Sequence, residues 1–270
     1  MQARRKIAVA GATGRVGRHT VDVLEAAGHD VVPMSRSTGV DVVTGEGLSE
    51  ALAGVDCVVD AASWPSSEQE PATEFFIAAA RNLQEEGERA GVQRIVVVSI
   101  IGADRFTTGY IASKIPHERA MQSGPIPVRI LRAAQFHEFV PLFLEWGRQG
   151  DVIYVPQMRT QLVAARTVAE ALADLADGST PEAETTAAAI PEIAGPREES
   201  LVDVARLVAA RRGDSVRIEA VSDPDDPEQA LYASGALLPG PDAVLAGPTF
   251  EQWLDATGDR QGGEIAPQRT

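Results

Sequence analysis

The chain has 270 residues, of which 44% are hydrophobic and 23% are charged, and its formal net charge at pH 7 is −15. Such a composition is typical of a globular protein with a sizeable core and argues against a disordered chain. So acidic a surface repels the phosphates of nucleic acids and anionic lipids, so we expect neither as a partner.

The single cysteine and the lack of long apolar runs bear on the compartment. Cys57 lies in the apolar run 55–59, where we expect a buried packing residue rather than a reactive thiol. It cannot form a disulfide within the chain. No apolar run reaches the ~18 residues of a membrane span, and the basic N-terminus leads straight into a strand rather than a signal sequence. We expect a cytoplasmic protein that acts on a small molecule. The sequence is compatible with a homodimer but does not determine the oligomeric state.

The first predicted unit is a strand, a glycine turn and a helix. The uncharged run 7–10 is typical of a strand buried on both faces, and apolar residues at helical spacing follow. Between them, Gly11 allows a tight turn, Gly14 lets backbone approach a pyrophosphate, and Gly17 lets the helix pack against the strand. The alternative is a glycine-rich turn that binds nothing. We predict a dinucleotide site that includes Gly11, Thr13, Gly14, Arg15, Val16 and Gly17.

The end of the second predicted strand, 29–34, indicates which dinucleotide is bound. Arg36 lies about 20 residues past the glycine turn, where NAD-preferring sites usually carry an acidic residue for the ribose 2′-hydroxyl. A guanidinium there would pair with a 2′-phosphate, and Arg15 would add a second positive charge. A solvated loop charge is the alternative. We predict that NADP(H) is preferred over NAD(H), with Ser35 and Arg36 at the ribose.

Two further strands are predicted before the first long helix. A weak third strand is expected over 40–43, followed by a short helix at 48–52. Asp41 is a candidate acceptor for the adenine amino group, or else an aspartate that only stabilises a turn. The fourth strand, 55–62, ends in small residues that would let the cofactor pass close to the sheet: Ala61, Ala62 and Ser63. Trp64 then starts a polar loop and is either a wall of the substrate pocket or a packing residue.

Later elements continue the alternation of strands and helices. A helix is predicted over 74–90, a fifth strand over 94–99 and a sixth over 128–132. This order is typical of an α/β protein with a doubly wound parallel sheet, the Rossmann type. We assign 1–132 to a dinucleotide-binding region. A small C-terminal substrate-binding lobe, partly interleaved with it, takes 133–257, and a frayed tail takes 258–270.

A tyrosine and a lysine carry the predicted chemistry. Tyr110 begins the helix after Ser99, and Lys114 follows four residues later on the same helix face. Lys6 and Lys114 are the only lysines among 24 basic residues. A compact ammonium can lie beneath a nicotinamide ribose and lower the pKa of a neighbouring phenol from about 10. A bulky guanidinium would not easily replace it.

These motifs resemble the short-chain dehydrogenase/reductase superfamily. The pattern Gly11-x-x-Gly14-x-x-Gly17, Ser99 at a strand end and Tyr110-x-x-x-Lys114 carry the resemblance. Three sequence segments are similar to its atypical, NmrA-like NAD(P)H-binding branch: Gly-Ala-Thr-Gly-Arg-Val-Gly, Ser-Lys-Ile-Pro-His-Glu and Ile-Leu-Arg-Ala-Ala-Gln-Phe. The resemblance implies that Tyr110 protonates a carbonyl as hydride arrives, that Ser99 holds the carbonyl oxygen, and that Lys114 binds the ribose and tunes the tyrosine.

Aromatic residues beyond the sixth strand suggest an apolar substrate pocket. Phe136, His137, Phe139, Phe143 and Trp146 fall on a predicted helix, and Tyr154 falls on a short strand. Core packing explains aromatics at helical spacing equally well. His137 is either an acid or base or a hydrogen-bonded structural residue. We take Trp64, Phe136, His137 and Tyr154 as candidate substrate contacts, and the histidine spacing predicts no metal site.

Three functions are compatible with these motifs. The leading one is an NADP(H)-dependent reductase that transfers hydride to a small apolar or aromatic carbonyl, quinone or enone, with Tyr110 as proton donor. The second is a regulatory protein that binds NAD(P) as a redox sensor and catalyses nothing. The third is an isomerase or epimerase that retains its cofactor. The tyrosine and lysine pair favours the first.

Overall fold

The computed structural model describes residues 4–179, 190–222 and 227–258. Its strands are β1 (Lys6–Ala10), β2 (Asp30–Met34), β3 (Cys57–Asp60), β4 (Arg94–Ile100), β5 (Val128–Ala133), β6 (Arg148–Gln149), β7 (Val152–Pro156), β8 (Arg159–Thr160), β9 (Glu192–Ala194), β10 (Glu199–Ser200), β11 (Arg217–Val221) and β12 (Val244–Leu245). Its α-helices are α1 (Arg15–Ala26), α2 (Leu48–Ala51), α3 (Gln69–Ala90), α4 (Gly109–Ala112), α5 (Lys114–Gln122), α6 (Val140–Trp146), α7 (Ala165–Asp177), α8 (Leu201–Arg212), α9 (Pro227–Ser234) and α10 (Phe250–Gly258).

The main sheet is parallel and doubly wound, as predicted. Within the described residues its strand order is β12-β9-β5-β4-β3-β1-β2, and each neighbouring pair is parallel. The chain moves from β1 outward to β2 and then returns to place β3 on the other side of β1. Because the winding reverses there, the carboxyl ends of β1 and β3 border a crevice of the kind in which α/β sheets bind ligands.

Apolar side chains on alternating strand positions build a core on each face of the sheet. On one face, Ile7, Val9 and Val59 pack with α1 and α7, and on the other, Ala8 and Val58 pack with α2, α3 and α5. Cys57 is buried in the first of these cores, and burial raises the pKa of its thiol to about 12. The prediction of a packing cysteine is therefore confirmed.

A third core lies under the segments after β5. Residues from α6, β7 and α8 pack around Ile153, Val208 and Phe250. Strands β6, β7 and β11 form one small sheet and β8 pairs with β10 in another, whereas β9 and β12 join the main sheet. The chain beyond 132 therefore contributes both to the main sheet and to a smaller body beside it.

The predicted third strand, 40–43, is wrong. The Asp41 carboxylate accepts hydrogen bonds from the backbone N–H groups of Val43 at 2.7 Å and Thr44 at 3.2 Å, which bends the chain into a turn. Asn82 on α3 then donates to the carbonyls of Val42 and Val43. These side-chain partners satisfy backbone groups that a sheet would otherwise pair.

Two helix boundaries also differ from the predictions. Helix α3 begins at Gln69 rather than at the predicted residue 74, and it ends as expected at Ala90, where the C-cap residue Gly91 has a φ of 80°. The helix expected from Tyr110 consists of α4 and α5, because Pro116 has no N–H to bond the carbonyl of Ala112. Except for Gly258, which ends α10, the tail 258–270 lies outside the described residues. Of the helices in the described ranges, none combines the length and apolarity needed to cross a bilayer.

Candidate active site

The glycine turn between β1 and α1 is as tight as predicted. Gly11 has a φ of 72°, and a Cβ on it would lie 2.6 Å from the carbonyl oxygen of Ala61. A Cβ on Gly17 would lie 2.1 Å from the carbonyl oxygen of Gly11. Both positions therefore need glycine for reasons internal to the protein.

The start of α1 is open to an anionic ligand. Gly14 is the N-cap residue, and no described side chain caps the helix. A Cβ on Gly14 would meet only the carbonyl oxygen of Gly11, at 3.1 Å, so packing alone does not demand glycine here. Buried Ala61 and Ala62 follow β3 beside the turn. Free N–H groups, a positive dipole end and small neighbours fit the diphosphate of a dinucleotide.

The end of β2 lies next to this turn. The backbone N–H of Ala12 donates to the carbonyl of Met34 at 3.2 Å, and Ser35 and Arg36 follow immediately. Arg36 is exposed, and no described side chain pairs with it. Asp41 lies further on, with one carboxylate oxygen engaged in its turn. Arg36 can therefore reach a ligand without first breaking an ion pair.

A cleft at the winding reversal brings together nine of the nineteen predicted site residues. Its lining includes Arg15, Val16, Ala61, Ala62, Ser63, Val98, Ser99, Ile100, Tyr110, Lys114, Ala133, Ala134, Gln135, Phe136 and Phe139. The catalytic candidates and several cofactor candidates thus share one space. The Arg15 guanidinium lies 4.8 Å from the centre of the Phe139 ring, at one wall of this cleft.

Tyr110 packs deep in the cleft. Its ring makes an edge contact with Phe76, with centroids 5.8 Å apart. Burial raises the pKa of the Tyr110 phenol, the charge of Asp60 raises it further, and a hydrogen bond with the Trp64 backbone lowers it. The pKa is therefore raised, whereas the sequence predicted that Lys114 would lower it. Tyr110 is protonated at neutral pH, which is the form an acid needs.

Lys114 belongs to a buried chain of three side chains. Its Nζ lies 2.8 Å from His117 Nδ1, and His117 Nε2 lies 2.9 Å from Asp60 Oδ2. Phe76 lies beneath both basic groups, with Nζ 4.1 Å from its centroid and the imidazole stacked at 4.6 Å. Burial lowers the pKa of Lys114 to about 8, although Asp60 and Glu118 raise it.

Ser99 lines the cleft, but its proton is directed elsewhere. Its hydroxyl donates to Glu118 Oε1 at 2.5 Å. Arg132 holds the same carboxylate with its Nε at 3.0 Å and its Nη2 at 2.8 Å. Ser99 is on the face of β4 that packs against α5, like Ile95 and Val97. In this arrangement the serine proton is not offered to a substrate oxygen.

The four candidate substrate contacts do not lie together in the structure. Phe136 lines the cleft, whereas Tyr154 lies on β7 in the small sheet. Trp64 packs on Phe75 with centroids 5.6 Å apart, beside the cleft. His137 is fully buried, and its Nε2 donates to the Leu162 carbonyl at 3.1 Å, next to Phe250.

Three side chains at the site were missed by the sequence reasoning. Asp60 and His117 hold Lys114, and Gln135 lines the cleft, where its Oε1 accepts from Thr160 Oγ1 at 2.8 Å. The spacing of Lys114 and His117, three apart on a helix, was a usable signal. No local sequence pattern indicates that Asp60 lies beside Lys114 and His117. In the described ranges, no group of three or more His, Cys, Asp or Glu side chains could hold a metal ion.

Comparison with known proteins relates part of this chain to proteins that bind NAD(P)H. Residues 11–136 match the model of a family described as NAD(P)H-binding. A stretch of 103 residues is 36% identical to L-arabinose 1-dehydrogenase (NAD(P)(+)) of Haloferax volcanii, covering 35% of this chain and 40% of that enzyme. The match therefore spans less than half of the relative.

Solved structures agree over nearly the whole chain. A short-chain dehydrogenase/reductase superfamily protein from Agrobacterium tumefaciens, with bound NAD, has 20% identity and a TM-score of 0.67, with 95% of this chain and 98% of that chain covered. UDP-N-acetylglucosamine 4-epimerase from Bacillus cereus has 18% identity and a TM-score of 0.70, with 97% and 99% covered. These likenesses show the fold.

The predicted Rossmann-type fold is confirmed, and the predicted NAD(P)H-binding character is supported by the family match over residues 11–136.

Proposed function

We propose that this protein is an NADP(H)-dependent reductase that transfers hydride to a small apolar or aromatic carbonyl, quinone or enone. The observation that carries the proposal is the meeting of Tyr110 and Lys114 in one cleft, beside the open N-terminus of α1. A diphosphate bound at that N-terminus and a ribose bound at Lys114 would place the two ends of one dinucleotide.

In the proposed reaction, the residues of the cleft bind the cofactor or transfer a proton. The N-terminus of α1 and Arg15 hold the diphosphate, and Lys114 donates to the ribose hydroxyls. The bound nicotinamide supplies the hydride. Tyr110, kept protonated by its burial, gives its proton to the substrate oxygen as negative charge develops there. Because Ser99 donates to Glu118, we assign it to holding α5 against β4 rather than to the substrate.

The substrate class follows from the walls of the cleft. Apart from Ser63, Gln135 and the polar groups assigned above, the lining is apolar and includes Val98, Ile100, Phe136 and Phe139. Flat apolar or aromatic substrates would bury their surface against these apolar walls. The relative's name, a dehydrogenase using NAD(P)(+), supports hydride transfer as the reaction type.

The decisive experiment compares Tyr110→Phe with wild type on a panel of carbonyls, quinones and enones, with consumption of NADPH as the readout. Loss of the proton donor should lower kcat by ~10²-fold or more. Tyr232→Phe is a matched control, because Tyr232 packs on Phe106 away from the cleft. Equal turnover by Tyr110→Phe would remove the tyrosine from the mechanism.

The same panel separates the alternatives. Tight NADPH binding without turnover of any compound would favour the redox sensor. One neighbour is named an epimerase, so conversion of a sugar nucleotide without net oxidation of the cofactor is the outcome that would favour the isomerase. Consumption of NADPH in proportion to substrate would contradict both.

The preference for NADP(H) rests on Arg36, since Arg15 is assigned to the diphosphate. An exposed guanidinium at the end of β2, without an ion pair among the described side chains, can bind a 2′-phosphate with two hydrogen bonds. Arg36→Ala should weaken NADPH by ~10-fold or more and leave NADH nearly unchanged, as measured by calorimetry. Arg119→Ala, at an exposed site on α5, is the matched control. Equal losses for both nucleotides would contradict the assignment.

A further inference from the structure

The buried chain of Lys114, His117 and Asp60 has one consistent arrangement of protons. An ionised carboxylate only accepts, so His117 donates to Asp60 through Nε2. In a neutral imidazole, Nδ1 then accepts a hydrogen bond from the Lys114 ammonium. A second proton on His117 would point an N–H at that ammonium. Burial and the charge of Lys114 lower the pKa of His117, which favours the neutral ring.

This buried chain of three side chains ends at Asp60, which is shielded from solvent. Asp60 is 1% exposed, and its other oxygen accepts from the backbone N–H of Ala62 at 3.0 Å. His117 is fully buried and stacked on Phe76. A path that carries protons to the cleft would need an exchangeable source at its far end. Since Asp60 has none, the chain serves another purpose than proton supply.

Charge balance identifies that purpose. Lys114 is 4% exposed, and a buried ammonium without a counter-charge loses its proton. Two carboxylates raise its pKa, Asp60 and Glu118. Glu118 is paired with the Arg132 guanidinium through Nε and Nη2, whereas Asp60 has no arginine or lysine in direct contact among the described residues. Asp60, on β3, is left as the counter-charge of Lys114, which is on α5.

We propose that Asp60 and His117 are positioning residues that keep Lys114 cationic and fixed at the cleft. Asp60 supplies the negative charge, and His117 holds the amine at 2.8 Å while leaving its other N–H donors free for a ribose. The binding of a ribose by these N–H donors rests on the proposed function, whereas the charge balance between Asp60 and Lys114 does not. A consequence is that Tyr110 regains its proton from the mouth of the cleft rather than through Lys114.

The lysine content of the chain permits a direct test without catalysis. Because Lys6 and Lys114 are the only lysines, a protein labelled with ¹³C-lysine gives two side-chain signals, and Lys6→Arg assigns them. Lys6 donates to the carbonyl of Ala53 at an exposed site and serves as the internal control. In wild type, the Lys114 signal should titrate with a pKa of about 8.

Asp60→Asn should lower the pKa of Lys114 by about one unit or more and leave Lys6 unchanged. Asp104→Asn is the matched control, because Asp104 is an exposed carboxylate that pairs with Arg132 outside the buried chain. It should leave both lysines unchanged. A folded Asp60→Asn protein in which Lys114 titrates as in wild type would overturn the proposal.

A second measurement needs no variant. The ¹⁵N shifts of the His117 ring in wild type should report a neutral imidazole protonated at Nε2 between pH 6 and 8. A protonated ring, or a proton on Nδ1, would also overturn the proposal. Calorimetry then separates the two claims, since failure of wild type to bind NADPH would count against the proposed function alone. An unchanged lysine titration would count against the counter-charge alone.

Discussion

At the scale of single residues, the direction of one hydrogen bond decides what Ser99 can do. Its position at the end of β4 is the position the motif predicts, and its side chain lines the cleft. Its hydroxyl proton nevertheless goes to Glu118, which is anchored by Arg132. A sequence pattern specifies where a side chain lies along a strand, but not which acceptor its proton finds.

Ser99→Ala therefore separates the two roles. If the serine only ties α5 to β4, the change should lower the free energy of unfolding by about 1 kcal/mol and lower kcat by less than ~10-fold. Urea denaturation and steady-state turnover measure the two quantities. A fall in kcat of ~10²-fold with unchanged stability would instead make Ser99 a donor to the substrate.

At the scale of elements, the contact between β1, α1 and β3 fixes the nucleotide turn. The pattern of glycines and apolar residues was sufficient to predict this unit, because its contacts are local. The run 40–43 was misread because Asp41 and Asn82 satisfy its backbone, and Asn82 is far away in sequence. The meeting of Asp60 with His117 likewise depends on packing between β3 and α5, which no local pattern encodes.

Two glycines in this turn should respond differently to alanine. Gly17→Ala would place a Cβ 2.1 Å from a backbone oxygen, so α1 must move and the melting temperature should fall by several degrees. In Gly14→Ala the new Cβ would lie 3.1 Å from one backbone oxygen, which a shift of a few tenths of an ångström relieves, so this variant should lose less stability than Gly17→Ala.

Nucleotide binding provides the contrast. Gly14→Ala should weaken NADPH by ~10-fold or more, because the methyl group takes the space that a diphosphate needs. Calorimetric scanning and titration of both variants measure stability and affinity separately. A Gly14→Ala protein that binds NADPH like wild type would argue against a diphosphate at this position.

At the scale of the whole molecule, a buried histidine links stability to pH. Burial lowers the pKa of His137 to about 4 from its ordinary value of 6.5, although its bond to the Leu162 carbonyl opposes the change. The unfolded chain therefore binds this proton more readily than the folded protein does. The stabilisation is complete above pH 6.5 and is lost as the pH falls toward 4, by at most roughly 3 kcal/mol.

His137→Gln tests this linkage, because the amide can still donate to Leu162 but does not titrate. Urea unfolding at pH 7.5 and pH 5 should show a smaller loss of stability for the variant than for wild type. His19→Gln is the comparison for removing a half-buried histidine, and since burial also lowers the pKa of His19, it should change the pH dependence in the same direction but less than His137→Gln does. An identical pH dependence for His137→Gln and wild type would exclude His137 as the source.

The main sheet takes two of its strands from late in the chain. Strands β9 and β12 extend it beyond β5, and α7 packs with α1 over the face that Ile7 and Val9 occupy. During synthesis on the ribosome, the nucleotide-binding half emerges first, and that face of its sheet stays exposed until α7 has been made. The main sheet is complete only when residue 245 has been made. A chimera that joins residues 4–136, which include β1 to β5, to a foreign partner would inherit a bare sheet edge at β5, so swaps between relatives must carry these later segments along.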